Sequence, residues 1–124
     1  MRPMRPWWPF VFVPVIAFAQ ATTPTEFPPE ALPFTPAGLK ERMAGKTFTF
    51  KPVADGAARI QYQETYAYFN VGSVSDTGKW RVEGSSVCYD WRKFPNGCSE
   101  HRSVGDLVYV KRYSTGEVVV LQPK

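Results

Sequence analysis

From Thr47 onward, apolar side chains recur at every second position in short runs, and each run stops at a cluster of Gly, Asn, Asp, Ser or Pro. TFTF comes first, ARIQY follows Asp55-Gly56, YAYFNV follows Gln63-Glu64, and KWRVE follows the turn SDTG. SVCYDW then follows Glu83-Gly84, CSEHRS follows Pro95-Asn96-Gly97, DLVYVKRY follows Gly105, and GEVVVLQ follows Ser114-Thr115. Successive side chains of a strand point to opposite faces, so a period of two marks strands with one buried face, and turn signals at this spacing join them antiparallel. The pattern predicts a mainly β fold, an antiparallel meander of seven or eight short strands. LVYV and VVVL in the last two runs are apolar on both faces and call for cover on both sides. A small barrel, or a strongly curled sheet closed by a helix, meets that demand.

The helix is foreseen in TPAGLKERMAGK. Thr35 can cap it, Pro36 suits the first turn, Leu39 and Met43 lie one turn apart, and Gly45 can end it. A helix of so few turns persists only if it docks.

Ahead of it, Arg2 and Arg5 precede the uncharged run WWPFVFVPVIAFA, which ends in Ala17-Phe18-Ala19, a small-x-small arrangement suited to signal peptidase. Residues 1–19 therefore read as a secretory signal peptide. As an anchor the run is too short, because crossing the hydrocarbon core takes about 20 apolar residues, and Pro9 and Pro14 disturb a helix further. Residues 20–34, QATTPTEFPPEALPF, carry four prolines and no hydrophobic period, and read as a stiff, disordered spacer. Residues 35–124 then form one β-domain with its leading helix.

The formal net charge of +4 falls to +2 once Arg2 and Arg5 leave with the leader. No basic run is longer than two residues, which argues against a nucleic-acid partner. Cys88 and Cys98 are the only cysteines, and in an exported chain they predict one disulfide. One histidine and two cysteines supply at most three ligands, too few for a structural zinc site, and no cofactor or metal is expected.

The segment KWRVEGSSVCYDWRKFPNGC concentrates aromatic residues and both cysteines. A hairpin turning at Glu83-Gly84-Ser85-Ser86 puts Trp80, Val82, Val87, Tyr89 and Trp91 on one face, and Arg81, Glu83, Cys88, Asp90 and Arg92 on the other. Such alternation marks a half-buried sheet whose aromatics dominate a small core. A direct Cys88–Cys98 pairing leaves a loop from about Trp91 to Pro95, whereas a tight turn at Asn96-Gly97 would carry Cys98 away from Cys88. The disulfide is taken to set the register, with Asn96-Gly97 a bend or bulge. The pattern in GKWRVEGSSVCYDW and NGC, spanning residues 45 to 110, resembles a group of small exported bacterial proteins of unknown function. That resemblance implies a periplasmic β-domain with no catalytic residues to carry over.

His101, the single histidine, is flanked by Glu100 and Arg102, and strand alternation keeps Glu100 from orienting it as a base. With no nucleophile motif nearby, His101 is expected at the surface or on an edge strand. Asp90 and Glu100 can share a face as paired carboxylates, but Arg92 and Arg102 on that face favour exposed ion pairs. In QYQETYAYFNV, Ala67, Phe69 and Val71 make the apolar face, leaving Tyr66 and Tyr68, with Tyr62, as candidate binding residues. Exposed, they form an aromatic platform for a protein or glycan partner; in a closed barrel they are core or wall residues. The expectation is a periplasmic or secreted, non-enzymatic binding module with no membrane span after signal cleavage. The alternatives are an inhibitor of a secreted hydrolase presenting the loop RKFPNG, and a small cell-envelope hydrolase.

Overall fold

The computed structural model describes residues 24–52 and 56–124; the expected signal peptide and its cleavage point lie outside them. In chain order the elements are β1 Leu32–Pro33, α1 Pro36–Met43, β2 Thr47–Phe50, β3 Ala58–Tyr62, β4 Tyr66–Val71 and β5 Val74–Glu83. They continue with β6 Ser86–Trp91, β7 Gly97–Val104, β8 Leu107–Lys111 and β9 Val118–Pro123. From β2 to β9 each strand pairs antiparallel with the next. The ring closes where Phe48 and Thr49 of β2 face Pro123 and Gln122 of β9. Strands β2 to β9 thus form an eight-stranded up-and-down antiparallel barrel, the closed form of the meander, with the two-residue β1 added along β7.

Closure follows from the double-sided apolar strands. The inner positions of β8 and β9 fill the barrel with Val108, Val110, Val119 and Leu121, all buried. Outer Val118 is buried too, and its N–H donates to the carbonyl of Pro24 at 2.8 Å. Residues 24–34 are therefore laid against the barrel rather than forming a free spacer. Ala31 is buried, β1 pairs with Ser103 and Arg102 of β7, and Arg102 sits over the Phe27 ring at 4.5 Å. Prolines lack the N–H for a long ladder but suit a short edge strand and an extended strap.

Helix α1 closes one end. The Thr35 hydroxyl accepts from the Gly38 N–H at 3.1 Å, Pro36 opens the first turn, and Leu39 and Met43 are fully buried. The chain leaving the helix is fixed to β3 by Gly45 N–H to Tyr62 O (3.0 Å) and Tyr62 N–H to Lys46 O (2.8 Å). Leu39 and Met43 join Phe48, Tyr62 and Trp80 in one apolar cluster, so the helix docks by burying its stripe on the barrel floor.

The hairpin β5–β6 turns at Gly84-Ser85, and Trp80, Val82, Val87, Tyr89 and Trp91 face inward as the alternation requires. Cys88 and Cys98 are direct cross-strand partners and form the disulfide on the outer face. Asn96-Gly97 makes no tight turn; instead the Asn96 side chain accepts from the Trp91 N–H at 2.9 Å, closing the loop of residues 92–96.

The turn expected at SDTG instead lies inside β5, because Gly72-Ser73 already joins Val71 to Val74. Gly78 serves close packing there. A Cβ on it would lie 2.5 Å from Asp90 O and 2.8 Å from Trp91 Cα, so only glycine lets β6 approach so closely.

Candidate functional site

Between the helix-closed floor and the opposite, open end, the barrel encloses a cavity of about 340 Å³. Eight-stranded barrels are just wide enough either to be filled by side chains or to hold one small ligand. The volume lies within the range of small-molecule pockets. Its wall is mostly aromatic and aliphatic: Phe50, Ile60, Phe69, Val110, Val119 and Leu121 line its sides. Rings tile the upper part. Trp91 stacks on Tyr89 at 4.9 Å, and Phe69 and Phe94 meet at 5.6 Å.

The mouth is organised by a few polar groups. Asp76 accepts from the N–H groups of Lys93 (2.7 Å), Phe94 (2.9 Å) and Thr77 (2.8 Å), which fastens the loop after β6. Burial raises the pKa of this carboxyl, but the backbone donors of Phe94, Lys93 and Thr77 outweigh it and hold the group below its usual range. The loop RKFPNG therefore turns Phe94 inward against Phe69 and Trp91 and leaves Arg92, Lys93, Pro95 and Asn96 exposed.

Across the mouth, Arg112 donates to Glu117 at 2.5 Å with both side chains mostly buried, and the Tyr113 hydroxyl donates to Pro95 O at 2.5 Å. The Tyr113 ring rests against Gly97, where any Cβ would collide with it.

At depth, Tyr62 and Tyr89 share a hydroxyl–hydroxyl hydrogen bond of 2.5 Å. Burial lifts the pKa of both phenols, so both stay protonated.

His101 is fully buried and lines the cavity, which corrects its expected place at the surface. Cys98 faces outward with Cys88, and His101, three residues further along the strand, must face inward. That parity was available in the sequence. CSEHRS obscured it, because polar Ser99 and Ser103 occupy the other inner positions. The ring Nδ1 lies 2.8 Å from Ser99 O. Burial holds the imidazole pKa down to about 4, so the ring is neutral at pH 7.

Of the three candidate tyrosines, Tyr66 and Tyr68 are on the outer face, 45% and 37% exposed, whereas Tyr62 is 2% exposed inside. Tyr62 is paired with Ala67, and both point inward, so it does not extend the outer platform. Asp90 and Glu100 are also outside, each held by an arginine: Arg81 lies 3.5 Å from Asp90 and Arg102 lies 2.8 Å from Glu100. Asp90 thus pairs with Arg81, which lies diagonally across the β5–β6 ladder beside its direct partner Lys79, instead of Arg92. Glu83 lies close to Cys88 and Cys98, but sulfurs bonded to each other offer no thiolate ligand.

No protein-family model matches the chain, and no curated protein or solved structure matches it.

Proposed function

We propose that this chain is an exported, non-enzymatic binding protein whose barrel interior takes up one small, uncharged, largely apolar molecule. The observation that carries the reading is the cavity of about 340 Å³, walled by aromatic and aliphatic side chains beneath an aromatic mouth. Among the described residues, the one charged side chain of the lining, Arg112, is held by Glu117, and the Asp76 carboxylate that fastens the mouth loop is taken up by backbone N–H groups. An ionic ligand would lose its hydration without gaining a partner. Catalysis has little to work with, since no nucleophile is hydrogen-bonded to the His101 ring among the described residues, the Ser85 hydroxyl being bonded to the His101 carbonyl, and the outer carboxylates are ion-paired. The disulfide suits the oxidising compartment that the signal-peptide reading implies, and no described helix is long and apolar enough to cross a membrane.

The exposed pair Tyr66 and Tyr68 supports a second reading, an outer contact for a protein or glycan. Calorimetric titration with naphthalene separates the two. The native chain should bind it, Val110→Phe should abolish binding by filling the cavity, and Tyr66→Ala with Tyr68→Ala should leave it unchanged. Failure of the folded native chain to bind, or binding untouched by Val110→Phe, overturns the cavity reading.

A further inference from the structure

The floor of the cavity has a polarity that its wall does not explain. His101 is held on both sides of its backbone: its N–H donates to Ser85 O at 2.8 Å, and its carbonyl accepts from the Ser85 hydroxyl at 2.5 Å. Its Nδ1 faces the carbonyl of Ser99 at 2.8 Å, and a carbonyl only accepts. The ring proton of the neutral imidazole is therefore on Nδ1, which leaves Nε2 with a bare lone pair. Nε2 is buried and has no partner among the described residues. A buried acceptor left unmade costs on the order of 1–3 kcal/mol, and native chains keep few of them, most often where something else binds.

The other buried or half-buried polar side chains of the lining each have a partner. Tyr62 and Tyr89 bond to each other, Ser99 Oγ accepts from the Tyr113 N–H at 3.1 Å, and Arg112 is paired with Glu117. Among the described residues, His101 Nε2 is the buried side-chain polar atom that has no hydrogen-bond partner at all, and it belongs to a wall that is mostly apolar.

Resting on the cavity reading above, we infer that the ligand carries one uncharged hydrogen-bond donor, a hydroxyl on a one- or two-ring apolar body, and delivers its hydrogen to Nε2 of His101. A carboxylate has no hydrogen to give, and would meet a lone pair where it needs a cation. An ammonium would be buried without a counter-charge, since Glu117 is already used. A phenol or a cyclic alcohol meets both requirements: its body replaces water along the aromatic wall and its O–H satisfies the fixed acceptor. Because Ser99 O holds the imidazole and Ser85 holds the His101 backbone before the ligand arrives, little ordering remains to be done on binding.

His101 is the single histidine, so a ¹⁵N-histidine label reports Nε2 alone with Nδ1. The probes are 2-naphthol and naphthalene, which differ by one hydroxyl. The native chain should show Nε2 unprotonated when free, moved to lower frequency by 2-naphthol and left in place by naphthalene. His101→Leu should cut the preference for 2-naphthol over naphthalene by about tenfold, the worth of one recovered hydrogen bond, while naphthalene still binds. If that variant fails to fold, the label on the native chain decides by itself. A protonated Nε2 in the free chain, or the same response to both probes, overturns the inference and leaves the cavity reading standing. Binding of neither probe overturns both.

Discussion

Tyr62 on β3 and Tyr89 on β6 join their hydroxyls at 2.5 Å across the barrel interior, three strands apart in the sheet, with both rings buried. One phenol donates and the other accepts, so both hydroxyl oxygens have a partner in a place without bulk water. Tyr62→Phe should cost about 1–3 kcal/mol, because it orphans the Tyr89 hydroxyl. Adding Tyr89→Phe should cost clearly less than the sum of the two single changes, since the double variant leaves nothing unpaired. Urea melts of the three variants measure this, and strict additivity would show that the bond contributes no coupling.

The disulfide sits on the outer face and closes a loop of eleven residues between directly opposed positions of β6 and β7. Its main effect is on the unfolded chain, whose loop-closure entropy it removes, with a value of about 3 kcal/mol by the chain-entropy argument. Replacing Cys88 and Cys98 together by serine should lower stability by about 2–4 kcal/mol and keep the barrel, because the ladder hydrogen bonds and the inner face are untouched. Circular dichroism and urea melts check both halves of that statement. A change in the far-ultraviolet spectrum would show that the bond sets the register and does more than staple it.

Local alternation made the inner face legible. Trp80, Val82, Val87, Tyr89 and Trp91 stand where a period of two puts them, and the Thr35-Pro36 start of α1 is legible for the same local reason. Closure was only one of two possibilities, because it depends on Phe48 and Thr49 meeting Pro123 and Gln122, a pairing across the whole domain that no local pattern encodes. Tyr62 and His101 were misplaced for a shared reason. Each is a polar-tipped residue on the inner face of a strand, and residue chemistry argued for the outside while parity argued for the inside. Parity prevailed because the ladder fixes every side chain of a strand at once, and the buried groups then found partners: Tyr89 for Tyr62, Ser99 for His101. The strap of residues 24–34 was illegible because its docking uses backbone groups and scattered rings rather than a periodic face.

Trp80 and Tyr66 offer a contrast between two large aromatics near the floor of the barrel. Trp80 is 4% exposed, donates from Nε1 to Gln63 O at 2.8 Å, and packs edge-on to Tyr62 at 5.1 Å; Tyr66 is 45% exposed. Trp80→Ala should cost about 3–5 kcal/mol, and Tyr66→Ala should stay within about 0.5. Equal midpoints in urea would mean that the outer tyrosine carries packing that its exposure does not show.

Acid should weaken the domain through His101. In the unfolded chain the imidazole titrates at 6.5, whereas burial in the barrel lowers it to about 4 despite the opposing bond to Ser99 O. The unfolded state therefore takes up a proton that the folded state refuses, and stability present above pH 6.5 is lost as the pH falls toward 4. The loss amounts to about 3 kcal/mol when complete. Asp76 acts in the same direction in a lower window, because its depressed carboxyl contributes stability above the ordinary aspartate range and loses it only below. Urea midpoints between pH 8 and pH 4 should thus fall in the native chain before Asp76 begins to titrate. His101→Leu should flatten the curve between pH 6.5 and 4 while leaving the steeper fall below it. An unchanged slope in that variant would assign the acid sensitivity to the carboxylates and remove His101 from the account.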